Sequence, residues 1–248
     1  MSLPEVVSRE EWLAARKQLL AREKELTRQR DALNADRRRL PMVRIDKDYV
    51  FGGESGQASL AELFGDRRQL VIYHLMYDPA WENACPGCTA GMDEWTDALT
   101  EHLNVRDTAF AAVSRAPYAK IASYRASRGW TFPWYSSFGS DFNYDFHVTL
   151  DAAVTPVMYN YLTQAELAQR DPDWAKPEST EMPGFSCFLK EGDAIFHTYS
   201  TYARGTEQAD GGGAYALLDL TALGRQEEWE EPKGRAGNVR QADPTFSS

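Results

Sequence analysis

Four residues, Cys85-Pro86-Gly87-Cys88, stand between an apolar run, Leu70 to Tyr77, and a segment in which Met92, Trp95, Leu99 and Leu103 recur at helical spacing. The run is apolar on both parities, as a strand buried on both sheet faces must be. Pro86 suits the first helical position, because the amide hydrogen it lacks would be unsatisfied there. Cys85 then falls at the helix cap, its sulfur expected to face free amides of the first turn and the positive end of the helix dipole, a setting that suits an attacking thiolate. Cys88, one turn on, is expected to be shielded and to attack a mixed disulfide formed at Cys85. Two other readings of the pair are a zinc clip and an inert reduced pair. Zinc asks for four ligands, and neither a second Cys-x-x-Cys nor a ligand-like spacing among His74, His102, His147 and His197 is present, so no metal and no cofactor is expected.

The rest of the chain alternates in a way that fits an α/β domain with a mixed sheet flanked by helices. Val50 to Gly53 reads as a short strand, Ser59 to Gly65 as a short helix closed by glycine, Thr108 to Ser114 as a second buried strand and Ala119 to Arg128 as a helix. From Gly184 the apolar stretch Phe185–Leu189, the turn Lys190-Glu191-Gly192-Asp193 and the stretch Ala194–Tyr199 predict a β-hairpin. Tyr215 to Leu223 predicts a closing helix, and residues 226–248 a loose polar tail. Before the body, Ser8 and Glu11 have capping-box spacing, and Trp12, Ala15, Leu19, Leu26 and Leu33 recur at roughly helical intervals. Residues 9–39 therefore predict one amphipathic helix that packs a stripe on the body.

Charge divides the chain the same way. Residues 1–44 carry 11 Lys/Arg against 7 Asp/Glu, and the remainder 16 against 30, for a net −10. The balance excludes a general nucleic-acid binder, which needs a basic surface. A basic arm lying on its own acidic body or on a second copy is expected, so a homo-oligomer through the amino-terminal helix is the candidate assembly. No run is long and apolar enough for a membrane span, no secretory signal is visible, and three cysteines do not make a secreted disulfide framework; a cytoplasmic location is expected.

The strand at 70–77, the Cys-Pro-Gly-Cys opening a helix, and Pro183 ahead of a strand-turn-strand resemble the thioredoxin superfamily over residues 45–223. The basic amino-terminal helix, the Trp81-x-x-x-Cys85-x-x-Cys88 run and the segment His197-Thr198-Tyr199-Ser200-Thr201-Tyr202-Ala203-Arg204-Gly205 resemble, over nearly the whole chain, a bacterial thioredoxin-like family, domain of unknown function 899. The resemblance implies a helical arm at 1–44, a thioredoxin-like domain at 45–225 carrying an aromatic-rich insertion, and a tail at 226–248. It also implies a late proline facing the reactive sulfur and receiving substrate. Pro183 is the candidate by position and Pro156 the weaker one, and in the superfamily that proline is cis.

The expected activity is thiol-disulfide oxidoreduction on a protein or small-molecule thiol or disulfide, with Cys85 and Cys88 catalytic and Trp81, Pro86, Pro183, His197 and Arg204 as candidate substrate contacts. A peroxiredoxin-like peroxidase is second, since peroxiredoxins place threonine three residues before the cysteine, where this chain has Glu82. A non-enzymatic binding scaffold is third. Cys187 is expected as a small core residue, and the stretch Trp130 to Tyr135 with Phe138, Phe142, Tyr144 and Phe146 as an insertion packing on the sheet.

Overall fold

The computed structural model describes residues 4–175, 179–208 and 213–235. Helix α1 (Arg9–Arg39) opens the chain, and Ser8 caps it through the expected reciprocal bonds. The Glu11 N–H donates to Ser8 Oγ at 3.2 Å and the Ser8 N–H to Glu11 Oε2 at 2.9 Å. The expected stripe on the body is not formed. Trp12, Leu19, Leu26 and Leu33 are 47% to 68% exposed, and only Asn34, Ala35 and Arg38 are buried. Trp12, Leu19, Leu26 and Leu33 recur only every seven residues, and the neighbouring Leu13 and Leu20 are exposed as well, so the seam is too narrow to cover a globular surface.

The last turn of α1 is anchored instead by the far end of the chain. Arg38 Nη1 faces Glu230 Oε1 at 3.1 Å, both side chains nearly fully buried, and Arg38 Nε donates to the Glu231 carbonyl at 2.7 Å. Gln226 Nε2 donates to the Arg106 carbonyl at 2.5 Å. Residues 226–235 are thus docked rather than loose, because their few side chains that reach the body find charged or carbonyl partners there. The rest of the expected tail, 236–248, lies outside the described residues.

The body is built on β1 (Val43–Arg44), β2 (Val50–Gly53), β3 (Gly56–Ser59), β4 (Gln69–His74), α2 (Pro86–Asp93), α3 (Asp97–Asn104), β5 (Thr108–Ser114), α4 (Tyr118–Arg128), β6 (Trp134–Ser136) and α5 (Phe142–Asp145). Then follow β7 (Thr149–Leu150), β8 (Met158–Tyr159), β9 (Leu162–Thr163), α6 (Gln164–Arg170), β10 (Thr180–Glu181), β11 (Gly184–Glu191), β12 (Ala194–Tyr202) and α7 (Gly213–Leu218). The main sheet has the order β1-β12-β11-β4-β5-β6-β2-β3. Its centre is parallel, with Val71 opposite Phe110 in β4/β5 and Val113 opposite Tyr135 in β5/β6, while the β11/β12 hairpin lies antiparallel beside β4. This is a thioredoxin-like α/β fold.

Side-chain alternation sorts the core into two layers. Val71, Tyr73, Phe110, Ala112, Phe185 and Cys187 face α2, α3, α4 and α7 through Cys88, Met92, Leu103, Ile121 and Leu217. Leu70, Ile72, Val113 and Phe188 face Phe142 and Phe146 on the other side. The aromatic stretch contributes to both layers. Trp134 belongs to a strand of the main sheet, Trp130 and Phe132 pack beside it, and Phe142 and Phe146 cover the opposite face. Two elements are shorter than their sequence pattern. Thr96 interrupts the expected long helix by accepting the Leu99 N–H, which restarts the chain as α3, and α7 ends at Leu218. Among the described residues no helix is long and apolar enough to cross a membrane.

Candidate functional site

The connection from β4 to α2 is held at several points before it reaches the cysteines. The Tyr77 hydroxyl donates to the Glu82 carbonyl at 3.0 Å, Asp78 Oδ1 accepts the Ala80 N–H at 2.7 Å, and Lys120 Nζ donates to the carbonyls of Pro79 and Trp81. The Cys85 N–H then donates to the Met76 carbonyl at 2.9 Å, which returns the chain to the end of β4. Cys85 is the N-cap of α2, Pro86 follows at the first helical position, and the Cys85 carbonyl accepts the Thr89 N–H at 2.9 Å. The Cys85 sulfur takes no capping hydrogen bond from the first turn, so the expected cap is made by the backbone alone.

Cys85 is partly exposed, and Cys88, one turn along, is 5% exposed. Burial pushes the Cys88 thiol up to about 11, while hydrogen bonds from the Tyr73 side chain and the Met76 backbone pull the other way and the neighbouring Cys85 adds a small further rise. All three cysteines are unbridged. Tyr73 is a site residue that the sequence reading missed. Its signal was its parity: it shares with Val71 the face of β4 that meets α2.

A second missed feature is Arg115, immediately after β5. It pairs with Asp78 in the β4–α2 loop and, at 2.6 Å, with Glu181, two residues before Pro183. Glu181 is buried, and it also accepts from Thr149 Oγ1 at 2.8 Å; burial raises its pKa while Arg115 opposes the rise. The guanidinium therefore ties the β4–α2 loop, which leads to Cys85, to the segment just before β11. Its signal was an arginine at the carboxyl end of a buried parallel strand, where α/β folds place their ligands.

The remaining candidates are scattered. Trp81 packs half-buried at the edge of the cysteine-side core, and Pro86 is exposed beside Cys85. Pro183 immediately precedes β11, but its peptide bond is trans, the cis bond among the described residues being Glu231–Pro232. The intervening Gly184 is required because a Cβ there would lie 2.7 Å from the Tyr202 ring. His197 lies on the opposite face of the sheet from the cysteines, 5.3 Å from the Phe146 ring. There it ends a buried chain: His197 Nε2 to Ser200 Oγ at 2.7 Å, Ser200 to Ser186 at 2.8 Å, and Ser186 to His74 Nε2 at 2.8 Å. Arg204 falls in the turn Ala203–Gln208, but its side chain lies outside the described residues. Cys187 is fully buried, and burial raises its pKa strongly. Among the described residues no group of three or more His, Cys, Asp and Glu side chains is placed to hold a metal ion.

Two hollows flank this geometry. A cleft of about 420 Å³ opens on the cysteine side between α2, the start of α3 and the Tyr73/Phe185 pair. A more open hollow of about 490 Å³ is bordered by Lys47, Tyr118 and Asp141; neither hollow is lined by a cysteine, and the cleft comes nearest to the pair at Gly87.

Among solved structures, the chain is similar to peroxidoxin BcpB from Mycobacterium tuberculosis, at 16% identity over 73% of this chain and 96% of that one, with a TM-score of 0.45. It is similar to peroxiredoxin Q from Xanthomonas campestris, at 18% identity over 62% and 78% with a TM-score of 0.41. A secreted Mycobacterium tuberculosis disulfide oxidoreductase homologous to E. coli DsbE matches at 14% identity over 68% and 93%, with a TM-score of 0.31. No curated protein matches the chain. The family model described as a bacterial protein of unknown function (DUF899) matches residues 1–243, and the chain belongs to that family.

Proposed function

We propose that the protein is a thiol-disulfide oxidoreductase in which Cys85 attacks and Cys88 resolves. The observation that carries this reading is the asymmetry of the pair: two unbridged cysteines one helical turn apart, the first partly exposed at a helix start, the second buried against a tyrosine. The Cys85 thiolate attacks one sulfur of a substrate disulfide; a new sulfur-sulfur bond forms and the other half leaves with the electron pair, to be protonated by solvent. Deprotonated Cys88 then attacks the Cys85 sulfur, expelling the second half as thiolate. Two electrons pass from the dithiol to the substrate, and Cys85–Cys88 becomes the disulfide.

Trp81 and Pro86, which flank Cys85, are the proposed substrate contacts, with Pro183 bordering the site through the Arg115 tie. The reading keeps residues 45–225 as the catalytic unit, the arm at 1–44 as an assembly element and the cytoplasm as its compartment. The test is a Cys88→Ser variant, which is expected to accumulate mixed disulfides at Cys85. Alkylation that falls first on Cys88 or Cys187 would overturn the assignment. A peroxidase would show itself by reducing hydrogen peroxide orders of magnitude faster than a small disulfide, whereas the opposite order is expected here. Glu82 supplies no hydroxyl three residues before Cys85 to polarise the peroxide bond.

A further inference from the structure

Helix α2 has only eight residues, and two of them, Gly87 and Gly91, are glycines on one face, four positions apart. A glycine inside a helix costs about 1 kcal/mol relative to alanine. Neither glycine has a left-handed φ that would demand it. Neither is crowded: a Cβ at Gly91 would meet no atom within 4 Å, and one at Gly87 would meet only Cys85 Sγ, at 3.9 Å. The fold therefore does not need them. What they provide is a bare shelf that begins at Gly87, where a Cβ would reach the Cys85 sulfur, and that lines the 420 Å³ cleft.

The walls of that cleft are aromatic. Tyr73 and Phe185 lie with ring centroids 4.8 Å apart, Trp95 stacks on Phe110 at 3.7 Å, and Met92, Leu99 and Leu217 complete the apolar lining. Its volume lies in the range of small-molecule sites. Of the described residues bordering it, Glu94 is the charged one, and no Lys or Arg is among them. Together with the net charge of −10, this lining repels an anion.

We propose that the cleft is the substrate-recognition site for uncharged aromatic disulfides, one ring lying on Gly87 and Gly91 while its sulfur meets Cys85 Sγ. The inference rests on the oxidoreductase reading and adds the substrate class to it. Bond making and electron flow are those already given: the sulfur carrying the seated ring becomes bonded to Cys85, the distal half leaves as thiolate, and attack by Cys88 then releases the ring from the shelf.

The test uses the fully reduced, full-length protein with two chromogenic disulfides, uncharged dipyridyl disulfide and the dianion dithiobis(nitrobenzoate). Each rate is divided by that of an unfolded Cys-Pro-Gly-Cys peptide with the same probe. The uncharged probe is expected to be favoured by about tenfold or more and to saturate with concentration, and Gly91→Leu is expected to remove about tenfold of its rate. Leucine is the better helix former, so this variant retains α2. Ala90→Leu, exposed on the same turn but outside the cleft, is expected to change neither rate, and Glu94→Gln to narrow the gap between the probes.

Equal normalised rates, or a Gly91→Leu protein that reacts like wild type with the uncharged probe, would overturn the cleft proposal and leave the dithiol reading standing. A Cys85→Ser protein that still consumes both probes at the wild-type rate, or a product lacking the Cys85–Cys88 bond, would instead defeat the underlying reading.

Discussion

Closure of the Cys85–Cys88 disulfide is expected to speed up by nearly tenfold per pH unit well beyond pH 9, where an ordinary thiol has stopped responding. Burial, the main cause of the raised Cys88 pKa of about 11 against an ordinary 9.0, persists when Cys85 is held in a mixed disulfide. At pH 7 only about one Cys88 in ten thousand is then thiolate, against about one in a hundred for the unshifted group. A more basic thiolate is a better nucleophile, and two pKa units return roughly six- to tenfold of that loss, leaving closure about ten- to fifteenfold slow. Tyr73→Phe removes a hydrogen bond that favours the thiolate, and such bonds to charged groups contribute about 1.5–3 kcal/mol. After the same compensation, closure at neutral pH should slow by a further factor of about four to twenty. Rapid mixing of reduced protein with one equivalent of dipyridyl disulfide separates the steps, since the first pyridinethione leaves on attack by Cys85 and the second on closure. A second phase that levels off by pH 9, or that is indifferent to Tyr73→Phe, would refute the argument.

His74 is fully buried with its pKa lowered to about 3, chiefly by burial and further by His197. Because the folded value lies below the ordinary 6.5, the unfolded chain takes up the proton first as pH falls. Stability present above pH 6.5 should therefore be lost between pH 6.5 and 3, by up to about 5 kcal/mol. His74→Gln, titrated by acid unfolding, should flatten that slope, and an unchanged slope would show that other groups govern it. Arg38→Met should cost about 3–5 kcal/mol in urea unfolding by leaving Glu230 buried and unpaired, and adding Glu230→Leu should recover part of it; a loss under about 1 kcal/mol would mean that the pair is hydrated. Removing residues 1–30 should leave dithiol exchange intact but weaken self-association in sedimentation, because it deletes Trp12, Leu19 and Leu26 and spares the buried Asn34, Ala35 and Arg38. An unchanged sedimentation coefficient per protomer would remove the arm from assembly.

The parts legible in the sequence were those set by local chemistry. Ser8 and Glu11 mark the start of α1 because capping is decided within four residues, and the two-sided apolar run around Val71 marks β4 because only a central strand is buried on both faces. Pro86 places the start of α2 for the same kind of reason. What escaped depends on distant partners. Helical spacing from Met92 to Leu103 hides the break at Thr96, since Trp95 stacked on Phe110 keeps the apolar residues inward across the gap. Nothing near Arg38 announces Glu230, and nothing near Arg115 announces Glu181. His197, grouped with the site from the composition of its own segment, was carried to the other face by the parity of β12, which a β-bulge in the pairing between Cys187 and Phe188 further shifts.

The break at Glu94–Thr96 also bears on what the rest of the molecule can sense of the dithiol. A disulfide forming between the first and fourth residues of this turn would twist the start of α2, and in a long continuous helix that twist would travel to the far end. Here two helical turns meet a non-helical joint, beyond which Thr96 begins a separately capped helix. The joint acts as a mechanical fuse: amide exchange should differ between oxidised and reduced protein in α2 and its loop, and hardly at all in α3 or the arm. A partner held by α1 would then be insulated from the oxidation state of Cys85 and Cys88.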